Sequence, residues 1–139
     1  MPDVMLHSRY IKDFSFENPG APYALGRTDP RVDVTVEVDG EQRKALHEVV
    51  LAFTVTASFE NEIIFLIDLK YAGLFEILNL EGNARTHFIF VEAPRMLFPF
   101  IERIIADVVR DGGMMPLNLT PPDFLMLYQQ QPGIAGEQP

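Results

Sequence analysis

Residues Glu48–Ser58 read EVVLAFTVTAS. The run is β-branched, almost wholly apolar and free of glycine and proline, and apolar residues occupy both alternating faces. A strand with one wet side shows polar residues at every second position; this one reads as a central strand. Working outward, Glu60-Asn61-Glu62 makes a turn and Ile63–Tyr71 follows. There Ile63, Phe65, Ile67, Leu69 and Tyr71 share one face, and Ile64, Leu66, Asp68 and Lys70 the other. Upstream, Val32, Val34, Val36 and Val38 alternate with Asp33, Thr35, Glu37 and Asp39, and Asp39-Gly40 reads as the turn that closes that strand. A fourth strand spans Tyr10–Glu17, where Phe14 and Phe16, expected to be buried, oppose Asp13, Ser15 and Glu17.

Proline placement supports this grouping. None of the 11 prolines lies between Pro30 and Pro94, so the sheet's ladders can run uninterrupted there. Before the gap, Glu17-Asn18-Pro19-Gly20-Ala21-Pro22 forms a crossover loop. After it the period becomes helical. Leu97, Ile101, Ile104, Ile105 and Val108 form one stripe, Pro99 either begins or kinks the helix, and Gly112-Gly113 ends it. Thr120-Pro121 reads as the start of a last helix with Phe124–Tyr128 as its apolar body. Strands first and helices later give an α+β fold: a four-stranded antiparallel sheet with a long helix and a shorter C-terminal helix on one face. The stretch from Gln131 (QPGIAGEQP) reads as frayed, so one domain is expected over 1–131 and a disordered tail over 132–139.

Composition narrows the function. The chain has 139 residues, 47% of them apolar, and a net charge of −9, opposite in sign to what a phosphate backbone attracts. It has no cysteine, which removes disulfides and thiol chemistry and fits a reducing, cytoplasmic setting. No apolar run is long enough to insert in a membrane. His7, His47 and His87 are widely separated and form no ligand pair, and no phosphate-cradling glycine loop or nucleophile elbow occurs. No cofactor or metal and no enzymatic activity is expected. The 11 Phe, 4 Tyr and 6 Met exceed what so small an interior needs, which points either to subunit contacts and a binding groove or to a Phe-rich core.

Several segments, in order, resemble the SecB protein-export chaperones. Ile11-Lys12-Asp13-Phe14-Ser15-Phe16-Glu17-Asn18-Pro19 with Ala21-Pro22 resembles that family's opening strand and turn. Glu48-Val49-Val50-Leu51 through Thr54–Ser58 resembles its central strand. Leu97-Phe98-Pro99-Phe100 with Glu102, then Pro116–Pro121 and Phe124, resembles its long helix and the linker to the last one. The resemblance covers about residues 9–131. It implies a homotetramer, a dimer of dimers, that holds unfolded precursor proteins without ATP and delivers them to the SecA motor.

Two sites follow from that resemblance. Asp13, Glu17, Leu66 and Asp68 match family positions that contact the basic tail of SecA, with Asp68 standing where the family often has glutamate. Period 2 places Asp13 with Glu17 and Leu66 with Asp68, so all four face outward together if both strands lie in one sheet with their apolar faces inward. The client groove is expected between the crossover loop, with Tyr23 and Leu25, and a helical layer carrying Phe98, Phe100 and Met126. Two other readings remain: a SecB-like chaperone dedicated to one client such as an antitoxin, and a small α+β ligand-binding domain.

Overall fold

The computed structural model describes residues 3–27, 29–43, 45–117 and 119–130. Four strands, β1 (Asp3–Glu17), β2 (Arg31–Arg43), β3 (Leu46–Phe59) and β4 (Glu62–Leu78), form one antiparallel sheet in the order β1-β4-β3-β2. Three helices follow, α1 (Gly82–His87), α2 (Ala93–Asp111) and α3 (Phe124–Gln130), with a π-helical turn at Phe88–Glu92 joining the first two. All pack on one face of the sheet. The two strands richest in apolar residues take the two central places, as the reading of Glu48–Ser58 and Ile63–Tyr71 requires.

The core lies between that face and the helices. Val49, Leu51, Phe53, Val55 and Ala57 project inward from β3, each no more than 1% exposed. Phe65, Ile67, Leu69 and Tyr71 do the same from β4. Leu97, Phe98, Ile101, Ile105 and Val109 meet them from α2, while Ile104 and Val108 flank this stripe half-buried. The Phe98 ring sits between Phe53, at 5.9 Å, and Phe124 of α3, at 6.4 Å. Each such side chain contributes about 1.5–3 kcal/mol by leaving water. α3 is held a second time by Tyr128 stacked on Phe90, 5.9 Å away.

Several boundaries differ from the sequence reading. β1 begins at Asp3, not Tyr10, and β4 runs on to Leu78, because Val4 and Leu6 pair alongside Ile77 and Phe75 and extend the inward face. Asp39-Gly40 is not a turn. β2 continues to Arg43, and Gly40 serves close packing: a Cβ there would lie 2.8 Å from Ile89 Cγ2 and 2.9 Å from His47 Nε2. Phe14 and Ile63 are not buried, at 37% and 51% exposure. Phe14 projects from an edge strand, and the register shift after Ala57 turns Ile64 inward and leaves Ile63 outside.

Helix begins at Gly82, well before Leu97, in a stretch whose aromatic and β-branched residues disguise it. Pro94 occupies the first turn of α2, and Pro99 lies inside α2 on its exposed side. There the carbonyl at Arg95, which loses its N–H partner, can meet water. α2 ends at Gly112-Gly113 as expected, with Gly113 at φ +87°. α3 starts at Phe124 rather than Thr120-Pro121, because Asp123 provides the cap: its Oδ1 accepts the Met126 N–H at 3.0 Å. The expected tail over 132–139 lies outside the described residues.

Candidate docking face and client groove

The outer face of the sheet, away from the helices, carries the first candidate site. β1 and β4 pair with Asp13 opposite Lys70, Ser15 opposite Asp68 and Glu17 opposite Leu66. Directly opposed residues share a face. A bulge between Ile11 and Asp13 resets the phase of β1 so that Asp13, Ser15 and Glu17 stand outward. The structure thus brings Asp13, Glu17, Leu66 and Asp68 together. The three carboxylates are exposed and Leu66 is half-buried. Thr54 Oγ1 donates to Asp68 Oδ1 at 2.8 Å and fixes that carboxylate toward β3.

Asp13 and Asp68 line a shallow hollow of about 370 Å³ that continues to Thr35 and Glu37 of β2. A neighbouring hollow of about 220 Å³ carries Lys12, Asp39, Glu41 and Lys70. Glu48 lines this second hollow and is buried at 3% exposure. Lys12 Nζ donates to its Oε1 at 2.7 Å and the Tyr10 hydroxyl donates to Oε2, so the buried charge is both paired and hydrogen-bonded. The outer face is therefore broadly acidic, with Lys12 and Lys70 set into it. Glu37, Asp39, Glu41 and Glu48 were not among the expected site residues. The alternation of β2 signals three of them, but their nearness to Asp68 depends on the strand order, which alternation does not encode.

The second candidate site is a groove of about 310 Å³ at the sheet's end. The crossover loop supplies Ala24 and Arg27, β4 supplies Ile64 and Phe65, and the loop after α2 supplies Met114 and Met115. Met115 is 78% exposed and thus available to an incoming apolar segment. An adjoining hollow of about 280 Å³ is lined by Tyr23, Phe59 and Ile63, with the Arg27 guanidinium 4.1 Å from the Phe59 ring centre.

Of the five residues expected at the groove, Tyr23 lines this adjoining hollow and Leu25 touches Gly113 at the rim. Phe98 belongs to the core at 5% exposure and does not reach the groove. Phe100 stacks on Tyr71 at 6.5 Å and carries the Arg9 guanidinium 3.6 Å above its ring, elsewhere on the molecule. Met126 is exposed on α3 and lines neither hollow. The missed groove residues Met114 and Met115 sit in a loop with no periodicity to reveal them.

The histidines are dispersed. His7 Nε2 lies 2.7 Å from Glu76 Oε1 on the outer face, and His87 packs edge-on against Tyr128. Burial, and then the nearby Arg85 charge, hold the His47 pKa below the ordinary imidazole value. Among the described residues no cluster of three or more His, Asp or Glu is placed to hold a metal, and no helix is long and apolar enough to cross a membrane.

Comparison with known proteins agrees with this architecture. Residues 1–133 match the family model described as preprotein translocase subunit SecB. The protein-export protein SecB of Zymomonas mobilis is 44% identical over 134 residues, covering 94% of this chain and 81% of that protein. That of Maricaulis maris is 41% identical over 133 residues, covering 94% and 77%. A solved SecB-like chaperone of Mycobacterium tuberculosis, bound to a peptide from an antitoxin, shares the fold with a TM-score of 0.70. Its identity is 16%, over 84% of this chain and 88% of that one.

Proposed function

The chain belongs to the SecB family of preprotein translocase subunits and is a protein-export chaperone, and from that premise we propose that it holds unfolded precursors without nucleotide and passes them to SecA. Asp13, Glu17, Leu66 and Asp68 form the motor-docking face in this reading. The groove between the crossover loop and the loop after α2 takes the client. The protein acts in the cytoplasm as a tetramer built from two dimers. The observation that carries the proposal is the separation of the two surfaces, with the acidic one on the outer face of β4 and the apolar one reached from its inner face.

That division suits the task. An acidic face speeds encounter with a basic partner, and Leu66 can give the contact an apolar anchor. An apolar groove with exposed methionine adapts to segments of many shapes. Neither surface needs a bound cofactor. The test is suppression of aggregation of several unrelated unfolded proteins in the absence of nucleotide. General suppression is expected. A requirement for ATP would overturn the holding role, and protection of one client alone would favour the dedicated chaperone.

A further inference from the structure

Two segments distant in sequence form the groove's walls: the crossover loop that follows β1, and the loop that follows α2. They meet at one side chain. Asn18 Nδ2 donates to the carbonyl of Gly112 at 2.9 Å, satisfying one of the carbonyls left open at the end of α2. The fit around this bond is close. A Cβ at Gly112 would lie 2.8 Å from Phe16 Cζ and 3.2 Å from Asn18 Nδ2. A Cβ at Gly113, where φ is +87°, would lie 2.9 Å from Leu25 Cδ2. Only glycine permits both the approach and the backbone angle. On the other side, Gly20 N–H donates to the Ile64 carbonyl at 2.9 Å and anchors the crossover loop to β4.

The amide of Asn18 is satisfied at one end only. Its Oδ1 is buried and has no hydrogen-bond partner among the described residues. Closure makes one hydrogen bond and leaves an acceptor dehydrated; opening gives up that bond and hydrates both ends. The unsatisfied acceptor offsets part of what the hydrogen bond contributes, which lowers the cost of opening this clasp. Asn18 also directly follows Glu17, whose carboxylate stands on the outer face.

We propose that Asn18 is a positioning residue: it clasps the two walls of the client groove and ties their spacing to the strand that bears Glu17. The assignment rests on reading this groove as the client site.

The test uses the full chain and the variants Asn18→Ala and Asn18→Asp, the second keeping the shape while losing the donor. The first readout needs no ligand. Amide exchange at Gly113 and Met114, bonded to Arg110 and Val109, and at Ala24 and Leu25, bonded to Gly20 and Pro22, should rise together in both variants, by about fivefold. The second readout is dissociation of a fluorescently labelled unfolded protein, expected to be about fivefold faster in both variants.

A rise in exchange confined to one loop would overturn the clasp, as would unchanged release from variants of a wild type that does hold clients. If the wild type holds no client at all, the functional reading fails separately. Concerted exchange of the two loops then still upholds the clasp, and its absence overturns it.

Discussion

Phe65 and Leu66 are consecutive on β4 and serve opposite sides of the molecule. Phe65, 2% exposed, reaches the groove beneath the crossover loop, and Leu66 stands outward across from Glu17. Successive strand residues alternate in direction, so one strand can form the floor of an apolar site and the centre of an acidic one without either intruding on the other. The consequence is that β4 contributes different side chains to each surface, Phe65 to one and Leu66 to the other.

Reversing Asp13 and Asp68 to lysine is expected to weaken SecA binding by tenfold or more at low salt, roughly the scale of two close charge pairs. Tetramer assembly and client holding should persist, since both side chains are exposed and lie outside the core. Titration calorimetry of the double variant checks this, and unchanged affinity would refute the docking face.

Much of this could be read from the order of residues, for identifiable reasons. β3 and β4 announce themselves because their inward residues, Val49 to Ala57 and Phe65 to Tyr71 at every second position, are apolar without a break and buried. Leu97, Ile101 and Ile105 declare α2 by the same logic at helical period. The outward grouping of Asp13, Glu17, Leu66 and Asp68 is legible too, since period 2 needs only that the strands share a sheet. What escapes is whatever depends on non-local contact. Gly40 looks like a turn residue until Ile89 is found pressed against it. Ile63 falls on the buried phase until the register shift after Ala57 moves Ile64 into its place. Phe98 has the composition of a groove wall, but Phe53 and Phe124 enclose it.

Gly40→Ala should destabilise the fold by about 1–3 kcal/mol, the usual cost of forcing a methyl group into a filled space. The new Cβ would meet the Ile89 Cγ2 methyl on the π-helical turn and the His47 ring on β3, so relief requires displacing those two packed side chains. Denaturant unfolding measures it. A change within a few tenths of a kcal/mol would show that these two side chains yield freely.

His47 makes stability depend on mild acid. Its folded-state pKa is lowered from 6.5, by burial first and by Arg85 second. The unfolded chain therefore takes up the proton more readily than the folded one. Stability is fully present above about pH 6.5, declines as pH falls below that value, and levels off once the folded histidine also titrates. Chemical denaturation of wild type and His47→Gln between pH 5 and 8 is expected to show a flatter profile for the variant. Parallel profiles would rule out this histidine as the cause.

Assembly is the remaining expectation. Met5, Ile11 and Phe14, at 60%, 47% and 37% exposure, leave apolar surface along β1 that the described residues do not cover. Light scattering at micromolar concentration should return four times the chain mass, and a stable monomer would refute it.

The alternation on β2 has a bearing on survival among unfolded chains. This strand is an edge, with no neighbouring strand on one side among the described residues. A chaperone meets sticky extended segments constantly, and a bare edge invites it to become the seed of a fibre. Stacking copies of β2 in register would set Asp33 on Asp33, Glu37 on Glu37 and Asp39 on Asp39 at a spacing of about 4.8 Å. Each layer would add another row of like charges facing their neighbours. The wet side of β2 thus guards against self-templating: a single foreign strand meets these acids once, whereas a growing fibre of the chaperone itself must meet them at every step.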